Sequence, residues 1–336
     1  MNYFLFFSFG PHSFKQEALY AIESLRRTIK AEDRVKIVLY TDNPEFFYPY
    51  YQNYSRLILE PIDEETMNEW KRELDYPPFA KFMVLEQFSK KYKGKVIFTD
   101  SDILFIKSIM YMFHKINDHS FFMYQLLSPI QSITSVVEKT TDGEGFAAAC
   151  KHIVEGFTAN GKVYRPSKEL PVYDSGFIGL DTDNIHLIHE ATQILLDLYP
   201  KTKLPYLDKI ALSLVLQDNG RNIVDIFDQH ITYHYSSYRH TRLVLGYLMD
   251  LLTPYDQDLL EEMIHTYKLG PLTTYGICTE NLQAFITFLE TVKHPDTNRE
   301  SLLVGNASAQ NQEQIYFQLM FKKFYKAYYS NQHFIK

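Results

Sequence analysis

The stretch that most constrains the fold of this chain is 95–106, KVIFTDSDILFI, an apolar run interrupted by two aspartates. The segment 96–98 has no polar alternation, which predicts a central strand covered on both faces. Residues two apart in an extended chain point to the same side. Asp100 and Asp102 are therefore predicted to present their oxygens together at the carboxyl end of that strand, the edge where open α/β sheets bind ligands.

The aspartate pair constrains the chemistry of this edge. Two adjacent ionised carboxylates repel each other, and a divalent cation removes that penalty. A hard cation that also carries a diphosphate suits such a pair. An acidic turn with solvated aspartates is the alternative, and the apolar segments on both sides favour the metal–nucleotide site.

Composition excludes several classes of protein. With 336 residues, 46% of them hydrophobic and 22% charged, the chain is expected to be globular with a sizeable core. A net charge of −7 without a basic block argues against a nucleic-acid partner. Cys150 and Cys278 are too far apart to suggest a disulfide framework or a zinc site, which favours a cytoplasmic location. We expect no signal peptide and no membrane span.

The order of elements predicts a parallel sheet with helical crossovers. Strands at 3–7 and 35–40 flank an amphipathic helix at 13–29. A further helix at 78–91 places Lys81 in the middle of an apolar stripe, where its ammonium needs an anionic partner or a route to solvent. Residues 45–78 are expected to be irregular and receive no role.

The second half of the chain continues in the same style. We expect a helix at 108–116, a strand at 121–127, and a polar, glycine-bearing loop within 131–146 that closes over ligand. Helices are also predicted at 184–198 and 206–216. Alternation over 229–237 places three polar side chains on one face of a strand: His230, Thr232 and His234.

At this point the chain resembles a known family. Phe98-Thr99-Asp100-Ser101-Asp102 after a hydrophobic strand is similar to the D-x-D motif of GT-A-fold glycosyltransferases, of the galactosyltransferase and glycogenin-like type in the nucleotide-diphospho-sugar transferase superfamily. Four further features follow the order of the family's pattern: Lys81 before the motif, then Asp174-Ser175-Gly176, Asp208-x-x-Ala211-Leu212-Ser213 and His234. The resemblance implies an α/β fold, a GT-A-type Rossmann-like mixed sheet flanked by helices over 1–240, with a C-terminal helical extension over 241–336.

The resemblance also implies roles for residues. Asp100, Asp102 and His234 (or His230 in its place) would bind Mn²⁺ or Mg²⁺, and Asp174 and Asp208 would be catalytic. Asp208 would be the general base if the reaction inverts configuration, and either carboxylate would stabilise an oxocarbenium-like centre if it retains. Lys209 replaces the family's second polar residue, so the stereochemistry stays open. The donor would contact Ser8, Phe9, Thr41, Asp42, Lys81, Ser101 and Gly176.

Each of these residues also has an ordinary explanation. Asp42 suits turn chemistry, Lys81 a snorkelling lysine, and Asp208 the acidic first turn of a helix, while His234 suits a surface site. The segment 316–336 is aromatic and basic. It would either contact an anionic membrane peripherally or pack on the catalytic domain.

The predicted function is a metal-dependent glycosyltransferase of hexosyltransferase type. It would move a sugar from a nucleoside-diphosphate sugar, UDP-sugar foremost, to a carbohydrate, glycoconjugate or other hydroxyl acceptor. A sugar-phosphate nucleotidyltransferase is the first alternative, although the loop at 8–11 is not the glycine-rich, basic phosphate loop of such enzymes. The second alternative is a degenerate relative that binds nucleotide or carbohydrate without catalysis.

Overall fold

The computed structural model describes residues 1–105, 107–130, 143–227 and 232–234. The predicted C-terminal extension over 241–336, His230 and most of the predicted loop within 131–146 lie outside these residues. The strands are β1 (Asn2–Ser8), β2 (Val35–Thr41), β3 (Leu57–Pro61), β4 (Lys95–Thr99), β5 (Ile103–Phe105), β6 (Ser120–Met123), β7 (Leu126–Pro129), β8 (Phe157–Ala159), β9 (Lys162–Tyr164), β10 (Pro171–Tyr173), β11 (Phe177–Asp181), β12 (Asn222–Asp225) and β13 (Thr232–His234). The helices are α1 (His12–Arg26), α2 (Pro44–Tyr51), α3 (Glu64–Glu73), α4 (Phe79–Lys91), α5 (Met112–Lys115), α6 (Gly143–Glu155), α7 (Ile185–Thr202) and α8 (Leu207–Asp218).

A mixed sheet of seven strands in the order β12-β6-β11-β4-β1-β2-β3 organises the described part of the chain. The neighbours β4, β1, β2 and β3 pair in parallel, as do β6 and β12, whereas β11 runs antiparallel to both β4 and β6. Parallel neighbours need crossover connections, and α1, α2 and the α3–α4 pair supply them. The α/β prediction of a mixed sheet with helices is confirmed, and this arrangement is compatible with a Rossmann-like fold.

Strand β4 is central, as its uniformly apolar sequence predicts. Val96 and Phe98 belong to the core on one face of the sheet, and Ile97 belongs to the core on the other. The three side chains are at most 1% exposed. Because both faces of β4 are covered, polar residues are tolerated only beyond the ends of the strand. The two aspartates follow directly after its carboxyl end.

The expectation that Asp100 and Asp102 lie along an extended strand is wrong. Strand β4 ends at Thr99, and the backbone N–H of Ile103 donates to the carbonyl of Asp100 at 3.2 Å, which closes a turn. Aspartate and serine favour turns because their side chains compete for backbone hydrogen bonds. A reversal of the chain, and not strand alternation, therefore brings the two carboxylates together.

Residues 45–78 are regular, contrary to expectation. Asn43 accepts a hydrogen bond from the N–H of Phe46 at the start of α2, with Pro44 in the first turn. Asp63 does the same for α3 through the N–H of Thr66, at 2.8 Å. The density of aromatic residues in this segment hid the helical period, whereas the two N-caps mark the helix starts.

Three further boundaries differ from prediction. The expected helix at 108–116 is confined to α5, and the expected strand at 121–127 is divided into β6 and β7. Between the two strands, Tyr124 and Gln125 bond to the backbone of Asp174, and the carbonyl of Tyr124 also accepts from the N–H of Ile226. Helix α6 begins at Gly143, so the last residues of the predicted loop are helical. Within the ranges given above, no helix has the length and apolar character needed to cross a bilayer.

Candidate functional site

Three potential metal ligands converge at the carboxyl end of β4. Asp100 and Asp102 come from the turn after that strand, and His234 comes from β13. Strand β13 pairs antiparallel with β5, with His234 opposite Ile103, which places the imidazole beside the turn. One ligand atom from each of the three residues lies within 4.8 Å of the others. The sequence-predicted metal ligands are thus brought together from two separate parts of the chain.

The chemistry of these three residues fits a divalent cation such as Mn²⁺ or Mg²⁺. His234 Nε2 lies 3.0 Å from Asp102 Oδ1, yet within the described part of the chain this buried nitrogen makes no hydrogen bond of acceptable geometry. Burial and the neighbouring charge of Asp102 raise the pKa of Asp100 to about 6, although the charge of Lys81 opposes this rise. Buried polar atoms normally have partners, and an N/O ligand set with adjacent carboxylates is what a cation such as Mn²⁺ accepts.

The imidazole of His234 is held in an acidic environment. Burial alone would lower its pKa, but the carboxylate of Asp102 outweighs burial, so the pKa is raised. The edge of the ring contacts Tyr124 with the centroids 5.0 Å apart, and the Tyr124 hydroxyl accepts a hydrogen bond from the backbone N–H of His234. Tyr124 therefore fixes both the ring and the backbone of this residue. Sequence analysis did not single it out.

Lys81 on α4 has the anionic partners that its buried position requires. Its Nζ lies 3.2 Å from Asp100 Oδ2, 3.2 Å from Ser175 Oγ and 3.7 Å from Asp208 Oδ2. Burial lowers the pKa of this lysine, but the charges of Asp100 and Asp208 outweigh burial and raise it. The ammonium is directed into the site and not towards solvent, and it stays charged at neutral pH.

Asp174 forms an ion pair with Lys209, the residue that replaces the second polar residue of the family pattern. Lys209 Nζ lies 2.5 Å from Asp174 Oδ2, and the N–H of Gly176 donates to Oδ1 at 2.7 Å. His234 Nδ1 lies 3.8 Å from the same Oδ1. Burial would raise the pKa of Asp174, but Lys209 and His234 lower it below the usual value. Asp174 is thus an ionised carboxylate that faces Nδ1 of the His234 imidazole, whereas Asp102 faces Nε2.

Asp208 is buried at the start of α8 with both oxygens occupied. It is 1% exposed, and it does not cap the helix with its side chain. The Tyr76 hydroxyl donates to Oδ1 at 2.5 Å, and the Ser175 hydroxyl donates to Oδ2 at 2.5 Å. The Asp208 carboxylate therefore lies beside Lys81, and hydrogen bonds from Tyr76 and Ser175 occupy both of its oxygens.

A cavity of about 530 Å³ opens beside the metal-ligand cluster. One wall contains the predicted donor contacts Ser8, Phe9, Lys81 and Ser101 together with Asp100 and Asp102. A further part of the wall comes from α3 and the connection to α4, and it includes Met67, Trp70, Leu74 and Tyr76. Sequence analysis missed this wall. The spacing i, i+3, i+7 from Met67, following the N-cap Asp63, was the signal for it.

The predicted donor contacts differ in their access to the cavity. Ser8 lines the cavity, but its Oγ is buried and makes no hydrogen bond with a described residue. Thr41, Asp42 and Gly176 do not line the cavity. Asp42 forms an ion pair with Lys15 at 2.8 Å and accepts from the N–H of Gly10 at 3.1 Å, which anchors the loop after β1.

Comparisons with known proteins give little further information. No protein-family model matches this chain, and no curated protein matches it. Among solved structures, it is similar to the apo structure of the bifunctional glycosyltransferase WbbM, with a TM-score of 0.44 and 12% sequence identity. The match covers 66% of this chain and 38% of the WbbM chain. A similarity at this level does not identify a family or an activity, so the function is inferred from the site.

Proposed function

We propose that this chain is a divalent-metal-dependent glycosyltransferase that uses a nucleoside-diphosphate sugar as donor. One observation carries the proposal. Asp100, Asp102 and His234 present ligand atoms within 4.8 Å of one another, and Asp100, Asp102 and Lys81 line the adjoining cavity. A hard cation bound by carboxylates and a lysine charge beside it together make a site for a diphosphate.

The balance of charge explains why a cation is needed. Lys81 pairs with Asp100 and Asp208, Lys209 pairs with Asp174, and Asp102 lies against His234, so four carboxylates outnumber the two lysines and one imidazole. A diphosphate would be repelled from such a site unless a cation compensated the charge. When bound, Mn²⁺ or Mg²⁺ would supply charge neutralisation of a leaving nucleoside diphosphate.

The chain's own residues bind and orient the donor. Lys81 places a positive charge beside the phosphates, and Ser8 and Phe9 in the cavity lining contact the nucleoside part. The cavity volume of about 530 Å³ lies in the range of small-molecule sites, and its α3 wall offers apolar surface to a base. A UDP-sugar is the first candidate because of the family resemblance, with the sugar directed towards Asp174 and a carbohydrate hydroxyl as acceptor.

The test is binding followed by turnover. Thermal stability is measured with a panel of nucleoside diphosphates and sugar nucleotides, with and without Mn²⁺, because a ligand that binds only the folded chain stabilises it by mass action. We expect a shift that needs both one nucleotide and Mn²⁺ and that Asp102→Asn abolishes. Hydrolysis of the stabilising donor then demonstrates cleavage of the sugar–phosphate bond, and a glycosylated product with an added carbohydrate acceptor demonstrates transfer.

Two outcomes would replace the proposal. If a nucleoside triphosphate with a sugar phosphate releases pyrophosphate, the chain is a nucleotidyltransferase, although the loop Ser8-Phe9-Gly10-Pro11 carries no basic side chain. If a donor binds with Mn²⁺ but is neither hydrolysed nor transferred, the chain is a nucleotide-binding relative without catalysis.

A further inference from the structure

Tyr76 lines the cavity and also bonds to Asp208, the buried carboxylate beside Lys81. It follows α3 and is 5% exposed. Its hydroxyl oxygen lies 2.5 Å from Asp208 Oδ1 and 2.9 Å from the carbonyl oxygen of Pro205, and it accepts from the backbone N–H of Asp208 at 3.3 Å. The ring packs on Tyr199 with the centroids 4.3 Å apart. Tyr76 is thus fixed at both its ring and its hydroxyl.

The hydroxyl of Tyr76 acts as a donor to Asp208. Burial and the charge of Asp208 raise the pKa of Tyr76 well above its usual value, so the phenol keeps its proton. Ser175 donates to the other oxygen of Asp208, and Ser175 Oγ also lies 3.2 Å from Lys81 Nζ. A carboxylate with a donor on each oxygen cannot rotate without breaking a charge-assisted hydrogen bond. Asp208 is therefore a fixed negative charge 3.7 Å from Lys81 Nζ.

We propose that Tyr76 is a positioning residue which, through Asp208, holds the ammonium of Lys81 against Asp100 at the metal-ligand cluster. Asp208 is a positioning residue by the same argument, because it does not line the cavity and both its oxygens are occupied. The lysine is balanced between two carboxylates, Asp100 at 3.2 Å and Asp208 at 3.7 Å. When the phenol is lost, Asp208 Oδ1 lacks its donor, the carboxylate is no longer held in place, and Lys81 loses one of the two fixed charges that hold its ammonium.

The placement of Lys81 is tested without any ligand. The full chain and Tyr76→Phe are treated with an amine-methylating reagent, and the modification of each lysine is followed by mass spectrometry. We expect Lys81 to be modified about fivefold faster in Tyr76→Phe, because its local network opens more often. Lys15 is the internal reference, since it is also buried and paired with a carboxylate, Asp42.

The reference lysine separates a positioning role from a loss of stability. Faster modification of Lys81 alone supports the proposal. Equal acceleration of Lys15 and Lys81 means that the substitution only destabilises the fold, and this result overturns the proposal. Unchanged modification of Lys81 overturns it as well.

Tyr164→Phe is the matched control variant. The Tyr164 hydroxyl donates to Glu190 at 2.7 Å, and the same carboxylate oxygen accepts from Lys162 at 2.7 Å. This cluster repeats the tyrosine–carboxylate–lysine chemistry away from the candidate site. We expect the modification rate of Lys81 in Tyr164→Phe to equal that of the unsubstituted chain.

A second readout rests on the proposed function. With Mn²⁺ present, we expect Tyr76→Phe to weaken binding of uridine diphosphate about tenfold, which corresponds to about 1.4 kcal/mol. In the background of Lys81→Met, Tyr76→Phe should cost nothing further, because Tyr76 acts through that lysine. Additive losses would overturn the proposal. If the unsubstituted chain binds no nucleoside diphosphate, the proposed function fails, while the lysine modification still decides the role of Tyr76.

Discussion

The ring of His234 occupies the space that a side chain at position 176 would need. A Cβ added to Gly176 would lie 2.7 Å from His234 Cε1 and 3.0 Å from Asp174 Oδ1. Contacts this short cannot be accommodated unless the ring or the strand moves. Glycine is therefore required before β11 because a histidine from β13 packs directly on the backbone there.

The first prediction concerns this contact. In Gly176→Ala, the imidazole is displaced from the cluster, and we expect affinity for Mn²⁺ to fall about tenfold or more. Electron paramagnetic resonance of free Mn²⁺ measures this affinity directly. Gly220→Ala is the control, since a Cβ at Gly220 meets no atom within 4 Å, although its positive φ makes that substitution mildly strained too. Equal Mn²⁺ affinity in the two variants would contradict the role given to Gly176.

The second prediction concerns metal and stability. Because a metal that binds only the folded state stabilises it, Mn²⁺ at about 100 times its dissociation constant should add about 2.7 kcal/mol to the free energy of unfolding. We expect His234→Ala to remove most of this gain. Asp42→Asn should retain it, because that carboxylate pairs with Lys15 and does not belong to the cluster. Stabilisation by Mn²⁺ that persists in His234→Ala would exclude the predicted ligand set.

The third prediction concerns Lys209. Its removal in Lys209→Met leaves Asp174 buried without its nearest cation, and we expect the free energy of unfolding to fall by about 2 kcal/mol. Urea denaturation measures this loss. Lys151→Met is the control, because the Lys151–Glu155 pair is exposed on α6 at 3.7 Å and should contribute less than about 0.5 kcal/mol. Losses of equal size would show that the Asp174–Lys209 pair is not special.

The fourth prediction concerns pH and the cluster around Glu190. Burial would raise the pKa of this carboxyl, but hydrogen bonds from Lys162 and Tyr164 outweigh burial and lower it. A carboxyl whose pKa is lower in the folded state stabilises the chain above its unfolded pKa, and this stability is lost as the pH falls through the folded pKa. The difference in free energy of unfolding between the unsubstituted chain and Glu190→Gln should therefore be constant above about pH 6 and shrink as the pH falls below about 4.5. A difference independent of pH would refute the assignment.

Much of the sheet could be predicted from sequence because its signals are local. The unbroken apolar run of β4 marks a strand covered on both faces, and the strand–helix–strand order of β1, α1 and β2 marks parallel pairing. The same holds for Lys81. A lysine within an apolar helical stripe needs an anion or a route to solvent, and the structure supplies the anions Asp100 and Asp208.

Local patterns in the sequence therefore indicate which elements form and which chemical groups they carry. Which of these groups meet depends on how the elements pack. Tyr76 and Asp208 are 132 positions apart, and Lys209 reaches Asp174 across 35 positions. Likewise, the pairing of β13 with β5 brings His234 to Asp102 and makes glycine necessary at position 176. Periodicity and capping act over a few residues, whereas these contacts depend on how distant elements pack, and no local pattern encodes that packing.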